Sequence, residues 1–225
     1  MTPAVSSPDG LRADARRNHH QVLDAARQVV LEHGPGVALD EIAKAAGVGI
    51  GTLYRRFGDR EGLYKAVVLR ALQEARTAAE DALAEHDNGF DALAAYMHAA
   101  LELRTAAVIP LVMDRLDMDD PELGPERETG AAVLEEVISR AHDDGSLPRS
   151  VDFADIGTML VRLSRPLPGS LPREAEAELA RRQLTLFLTG LQHATDDTLD
   201  SAGMSRSELR EPENQETSAV GDTRP

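Results

Sequence analysis

The stretch Ala38 to Glu61, ALDEIAKAAGVGIGTLYRRFGDRE, constrains the fold more than any other part of this 225-residue chain. Asp40 to Ala46 predicts a short amphipathic helix, with Ile42 and Ala43 turned inward beside Leu39. Gly47-Val48-Gly49 supplies a turn, and Ile50 to Phe57 a second short helix carrying Thr, Tyr and Arg. Two short helices joined by a glycine-marked turn have helix-turn-helix spacing, in which the second helix enters the DNA major groove. Leu53 and Phe57, at i and i+4, belong to the inner side of that helix. The run Gly47-Val48-Gly49-Ile50-Gly51 is not read as a dinucleotide loop, because such a loop needs a preceding strand and here a helix precedes it.

The flanking sequence is helical too. Val22, Ala25, Ala26, Val29 and Val30 form one apolar stripe in a helix running from Arg12 to His33. Gly34-Pro35-Gly36 stops it. Asp59 is placed to cap a long helix from Arg60 to about Glu85. Further helices are predicted over Asn88–Arg104, Ala106–Leu116 with a kink or break at Pro110, Glu128–Asp143, Asp152–Leu163 and Arg173–His193. Hydrophobic residues make up 42% of the chain but aromatics only 3%, and β-branched alternation is scarce, so an all-α fold is expected. The expected division is a disordered arm over 1–11, a three-helix DNA-binding domain over 12–59, a helical domain over 60–194 and a disordered acidic tail over 195–225.

Several function classes drop out. The chain has no cysteine, which removes disulfides, thiolate metal sites and cysteine nucleophiles. No H-x-x-x-H pair exists, and His19 and His20 are adjacent, so no metal site is expected. Asp117, Asp119 and Asp120 lack the periodic ligands of a calcium loop and read as a polar loop before Pro121. There is no long apolar run and no secretory leader, so a cytoplasmic protein is expected, without membrane partner or cofactor. The net charge of −15 is unevenly spread. Residues 1–71 hold ten Lys/Arg against eight Asp/Glu; residues 72–225 hold fourteen against thirty-one. A weakly basic head on an acidic body binds DNA through local contacts with little long-range steering.

The segments VLDAARQVVLEHG and VALDEIAKAAGVGIGTLYRRFGDREGLYKAV resemble the N-terminal domain of the TetR family of bacterial transcriptional regulators, over Arg16 to Arg70. The resemblance implies a ligand-responsive repressor that binds a pseudo-palindromic DNA operator as a homodimer and is released by a small-molecule effector. It places Ile50, Gly51 and Arg55 at groove-facing positions and Thr52, Tyr54 and Arg56 at phosphate or base-edge positions. Arg60 stands where the family usually has a phosphate-touching lysine, and Lys44 is a further candidate contact. Two departures stand out: Gly49 replaces a common Ser, and Ala38 replaces a capping Thr. Each removes a side-chain cap, and the second also removes a phosphate contact.

The resemblance further implies a C-terminal domain for effector binding and dimerisation. Tyr96, Met97, Leu101, Met113, Leu116, Met159 and Arg162 are its candidate pocket residues, although apolar residues at helical spacing are more often core. Leu160, Leu184, Phe187, Leu188 and Leu191 are expected in a four-helix dimer bundle. The alternatives are an all-α enzyme with a helix-turn-helix-like head, for which no catalytic constellation stands out, and a dimerisation module without effector.

Overall fold

The computed structural model describes residues 8–117, 119–167, 171–199 and 201–210, with side chains from Arg17 to Leu209 within them. Among these residues every regular element is helical. α1 (Pro8–His33) begins inside the segment expected to be a disordered arm. Proline is tolerated in a first helical turn, where its missing N–H costs nothing, so Pro8 starts the helix rather than blocking it. The rest of that arm, 1–7, lies outside the described residues.

α2 (Leu39–Ala45) and α3 (Ile50–Phe57) follow. Neither N-cap, Ala38 or Gly49, supplies a side-chain hydrogen bond, as the two departures imply. Gly47 takes a positive φ of 67° between the helices, a conformation costly for residues with a Cβ. α4 (Arg60–Glu85) starts at Asp59, whose Oδ1 accepts from the Gly62 N–H at 2.8 Å. A Cβ on Gly62 would collide with the Phe57 carbonyl, so glycine is what lets α3 and α4 approach this closely.

α5 (Gly89–Leu103) is capped by Asn88 and joins α6 (Thr105–Val112) through Arg104 in a left-handed turn. α6 passes through Pro110 and gives way after Val112 to a 3₁₀ turn, Met113–Arg115. α7 (Leu123–Asp143) starts five residues earlier than expected. Pro125 falls in its first turn, where proline is permitted, and Asp120 accepts from the N–H groups of Glu122 and Leu123. α8 (Phe153–Ser164) opens with a capping box between Asp152 and Asp155, and α9 (Arg173–His193) occupies its expected span.

The expected disordered tail is corrected over its first part. A 3₁₀ turn, Asp196–Thr198, and a short α10 (Arg206–Arg210) follow α9. The Gly203 N–H donates to Ser150 O at 2.6 Å, and the Ala154 N–H donates to Met204 O at 3.0 Å. Arg206 pairs with Glu128 and, at 3.6 Å, Glu135. The segment returns over α8 because it supplies an acceptor to the N-terminal turn of that helix and a cation to acidic α7. Residues 211–225 lie outside the described residues.

Two apolar cores result. The head core gathers Val22, Ala26 and Val30 of α1, Ile42 of α2, Leu53 of α3, and Leu63, Tyr64, Val67 and Val68 of α4. Ala107, Val108 and Val112 of α6 are buried in this same core, with Leu116 packed on it. The body core gathers α5, α7, α8 and α9 around the second half of α4. A boundary at 59/60 therefore runs through a shared core: α6, from the body's sequence, seats on the head.

Candidate functional site

On α3, burial separates two faces. Leu53 is buried and Phe57 half-buried, while Gly51, Tyr54, Arg55 and Arg56 are exposed. Thr52 is half-buried at the edge. Ile50, expected in the groove, is half-buried and packs on the head core. A Cβ on Gly51 would meet nothing within 4 Å, so the backbone there is open to a close partner. Lys44 is exposed in the last turn of α2. The exposed face thus carries cations and a phenol, groups that donate to phosphate oxygens and base edges.

Arg60 is placed differently from a free phosphate contact. Its Nη1 donates to the carbonyls of Pro35 and Val37 and to the Tyr64 hydroxyl at 3.0 Å, and the guanidinium lies over the Tyr64 ring. Tyr64 in turn donates to Pro35 O at 2.7 Å. The pair ties the α1–α2 loop to the start of α4 and fixes the angle between them. From α1, His19 stacks on Phe57 with ring centroids 5.5 Å apart. Burial, aided by Arg56, His20 and Arg70, holds the His19 pKa below its ordinary value.

Head and body are also joined by charge. Arg27, buried on α1, donates to Glu74 on α4 at 2.6 Å and to Leu103 O at the end of α5 at 2.8 Å. Arg70 adds bonds to Glu74, Asp24 and the His20 carbonyl. Lys65 of α4 pairs with Asp120 at 2.8 Å and Glu122 at 2.7 Å, so the acidic loop anchors α4. Among the described residues no group of three or more His, Asp or Glu is placed to hold a metal ion.

The body contains an apolar cavity of about 240 Å³ between α4, α5, α6, α7 and α8. Leu72 and Ala75, Tyr96, Ala106, Ile109 and Pro110, Ala131 and Leu134, and Phe153, Gly157 and Val161 form most of its wall. Among the described residues Arg127 is its one cationic lining residue, and no carboxylate lines it. A larger groove of about 530 Å³ opens between α1, α4 and α5, but Arg70 and Glu74 in its wall are already engaged with each other and with α1.

Only Tyr96 of the expected pocket residues lines the cavity. Met97 and Leu101 are filled core positions. Met113 is exposed in the 3₁₀ turn, and Leu116 sits on the head core. Met159 is half-buried and Arg162 exposed on α8, away from the cavity wall. Of the dimer candidates, Leu160 lines the cavity, and Leu184, Leu188 and Leu191 are buried within this chain, with Phe187 packed against the same core. Periodicity found the inner face of α9 but could not say which neighbour covers it. The outer face of α9 instead carries Leu186, 61% exposed. Arg127 was missed because the helix that presents it was expected to begin at Glu128; a proline tolerated in a first turn was the available signal.

A family model described as bacterial regulatory proteins, tetR family, matches residues 22–67, which span α1 to the first turns of α4. The HTH-type transcriptional repressor LfrR of Mycolicibacterium smegmatis is 30% identical over 137 residues, covering 61% of this chain and 71% of that protein. The chain belongs to the TetR family. Its three-helix head and helical body match the solved TetR transcriptional regulator SCO0520 of Streptomyces coelicolor at a TM-score of 0.54 and 27% identity, covering 77% of this chain and 97% of that one. LfrR from Mycobacterium smegmatis, solved in complex with proflavine, matches at 0.53 and 25% identity, covering 75% and 95%. This TetR-family member is accordingly a DNA-binding transcriptional regulator. Among the described residues no helix is long and apolar enough to cross a membrane.

Proposed function

We propose that the protein is a repressor that binds a pseudo-palindromic operator as a homodimer and lets go when a small effector fills the α4–α8 cavity. One observation carries this reading: the same two helices serve both ends. α4 buries Leu63, Tyr64, Val67 and Val68 in the head core and lines the cavity with Leu72 and Ala75. α6 buries Ala107, Val108 and Val112 in the head core and lines the cavity with Ala106, Ile109 and Pro110. A molecule that separates α6 from α7 and α8 cannot leave the seat of α6 on the head unchanged. It shifts the population toward the state that it binds more tightly, and by linkage operator binding disfavours that state. The repressor name and the ligand complex of the LfrR relative support the same direction.

Operator contact belongs to Gly51, Thr52, Tyr54, Arg55 and Arg56 of α3, with Lys44 alongside. Arg60 acts by holding the head rather than by reaching phosphate. Dimerisation belongs to the outer faces of α8 and α9, where Arg162 and Leu186 are exposed, pairing with their copies as a four-helix bundle. The test is a labelled operator duplex titrated with protein, followed by a small-molecule panel added to the complex. Loss of the complex on ligand binding is expected; a ligand that fills the cavity and leaves operator affinity unchanged would remove effector release from the function.

A further inference from the structure

We propose that the effector is a small apolar monocarboxylate, its acid group held by Arg127 and the Tyr96 hydroxyl and its body held by the ring-and-glycine wall of Phe153 and Gly157. This rests on the reading of the α4–α8 cavity as the effector site. Arg127 lines the cavity, and its Nε is shielded from solvent with no hydrogen-bond acceptor. Among the described residues its guanidinium has one loose ionic neighbour, Asp119, at 3.7 Å, and that carboxylate is 95% exposed. A shielded guanidinium N–H without an acceptor is costly, and a planar carboxylate is the group that satisfies two parallel guanidinium N–H donors at once.

Tyr96 enters from α5. It is buried and lines the cavity. Burial pushes its pKa up to about 12, so it stays a donor throughout the physiological range. Two donors and no lining carboxylate favour an anion and disfavour a cation. Apart from Thr105, whose hydroxyl donates to the Ala100 carbonyl, the remaining wall is apolar, with Phe153 Cε1 3.7 Å from where a Gly157 Cβ would stand. A cavity of about 240 Å³ has room for one ring or a short chain.

The experiment uses the full chain and four probes of matched size: benzoate, hexanoate, benzamide and benzylamine, with acetate as the acid lacking an apolar body. Binding is read by calorimetry, and operator release by fluorescence anisotropy on the same samples. Benzoate or hexanoate should bind at least tenfold tighter than benzamide, and benzylamine and acetate should be weakest. Arg127→Gln should bring benzoate and benzamide to within about twofold of each other while leaving the helical signal unchanged. Gly157→Leu, which fills the cavity and keeps Arg127, should weaken all the aromatic probes together. Equal binding of benzamide or benzylamine, an acid preference that survives Arg127→Gln, or no binding by any probe would overturn the proposal. Carboxylate binding without operator release would keep the acid preference and contradict effector release; release by neutral or cationic probes alone would do the reverse.

Discussion

Arg55 and Tyr54 stand on the exposed side of α3 while Leu53 holds its other side in the core, so the two can be changed without touching the fold. Arg55→Ala is expected to weaken operator binding by about 1–3 kcal/mol and relax specificity at one base pair. Helicity and self-association should be unaffected, as checked by gel shift, circular dichroism and sedimentation. Arg27 is the opposite kind of residue. Arg27→Met removes its bonds to Glu74 and Leu103 O but leaves Glu74 paired with Arg70. Charge-assisted hydrogen bonds contribute about 1.5–3 kcal/mol each in net terms, so a loss of roughly 3 kcal/mol or more in urea denaturation is expected. His19 adds a pH effect. Its folded-state pKa is lowered, so below about 6.5 the unfolded chain takes up the proton first. Stability is therefore full above that value and falls as pH drops through it. His19→Phe keeps a ring against Phe57 and should flatten the change in urea midpoint between pH 7.5 and 5.5. The faces of α3 were legible in the sequence because a recognition helix must bury one side and expose the other. Arg27 was not, because a buried arginine inside an otherwise apolar stripe shows no partner until α4 and α5 are in place.

At the scale of elements, α9 carries a paired test. Leu184→Glu buries an unpaired charge in the protomer's own core and should unfold the protein or prevent its accumulation. Leu186→Glu changes an exposed side chain and should leave the melting temperature of the monomer intact while shifting sedimentation toward monomers. A full dimer with Leu186→Glu would place the interface elsewhere. The C-terminal segment offers a second test. Deleting 201–225 removes two backbone hydrogen bonds to α8 and its N-terminal loop, and the Arg206 pairs to α7. At about 1 kcal/mol per bond and roughly 2–4 °C per kcal/mol, the melting temperature should fall by roughly 4 °C or more. Helix positions were largely readable because caps and periodicity are local: Asp59, Asn88 and Asp152 each cap where their chemistry allows. The docking of 201–210 was not readable, since its composition is that of a solvated tail and half of its bonds to the body are backbone.

For the molecule as a whole, the weakly basic head and strongly acidic body set how DNA is approached. Each phosphate neutralised releases counterions, giving a logarithmic salt slope near −0.9 per contact, and about 6–10 phosphates are expected for a dimer. The acidic body repels operator and non-specific duplex alike, so non-specific affinity should be poor. The fold class was readable from composition and the head motif, whereas the cavity was not, because it is assembled from single residues on five helices with no shared local pattern. The most direct test of the central claim is selection of bound duplexes from a random pool by the full-length protein at physiological salt. The expected product is a two-fold symmetric site, its half-sites about one helical turn (34–36 Å) apart, holding two protomers per duplex. No enriched sequence, or an asymmetric site saturated by a single protomer, would contradict a homodimeric operator-binding repressor.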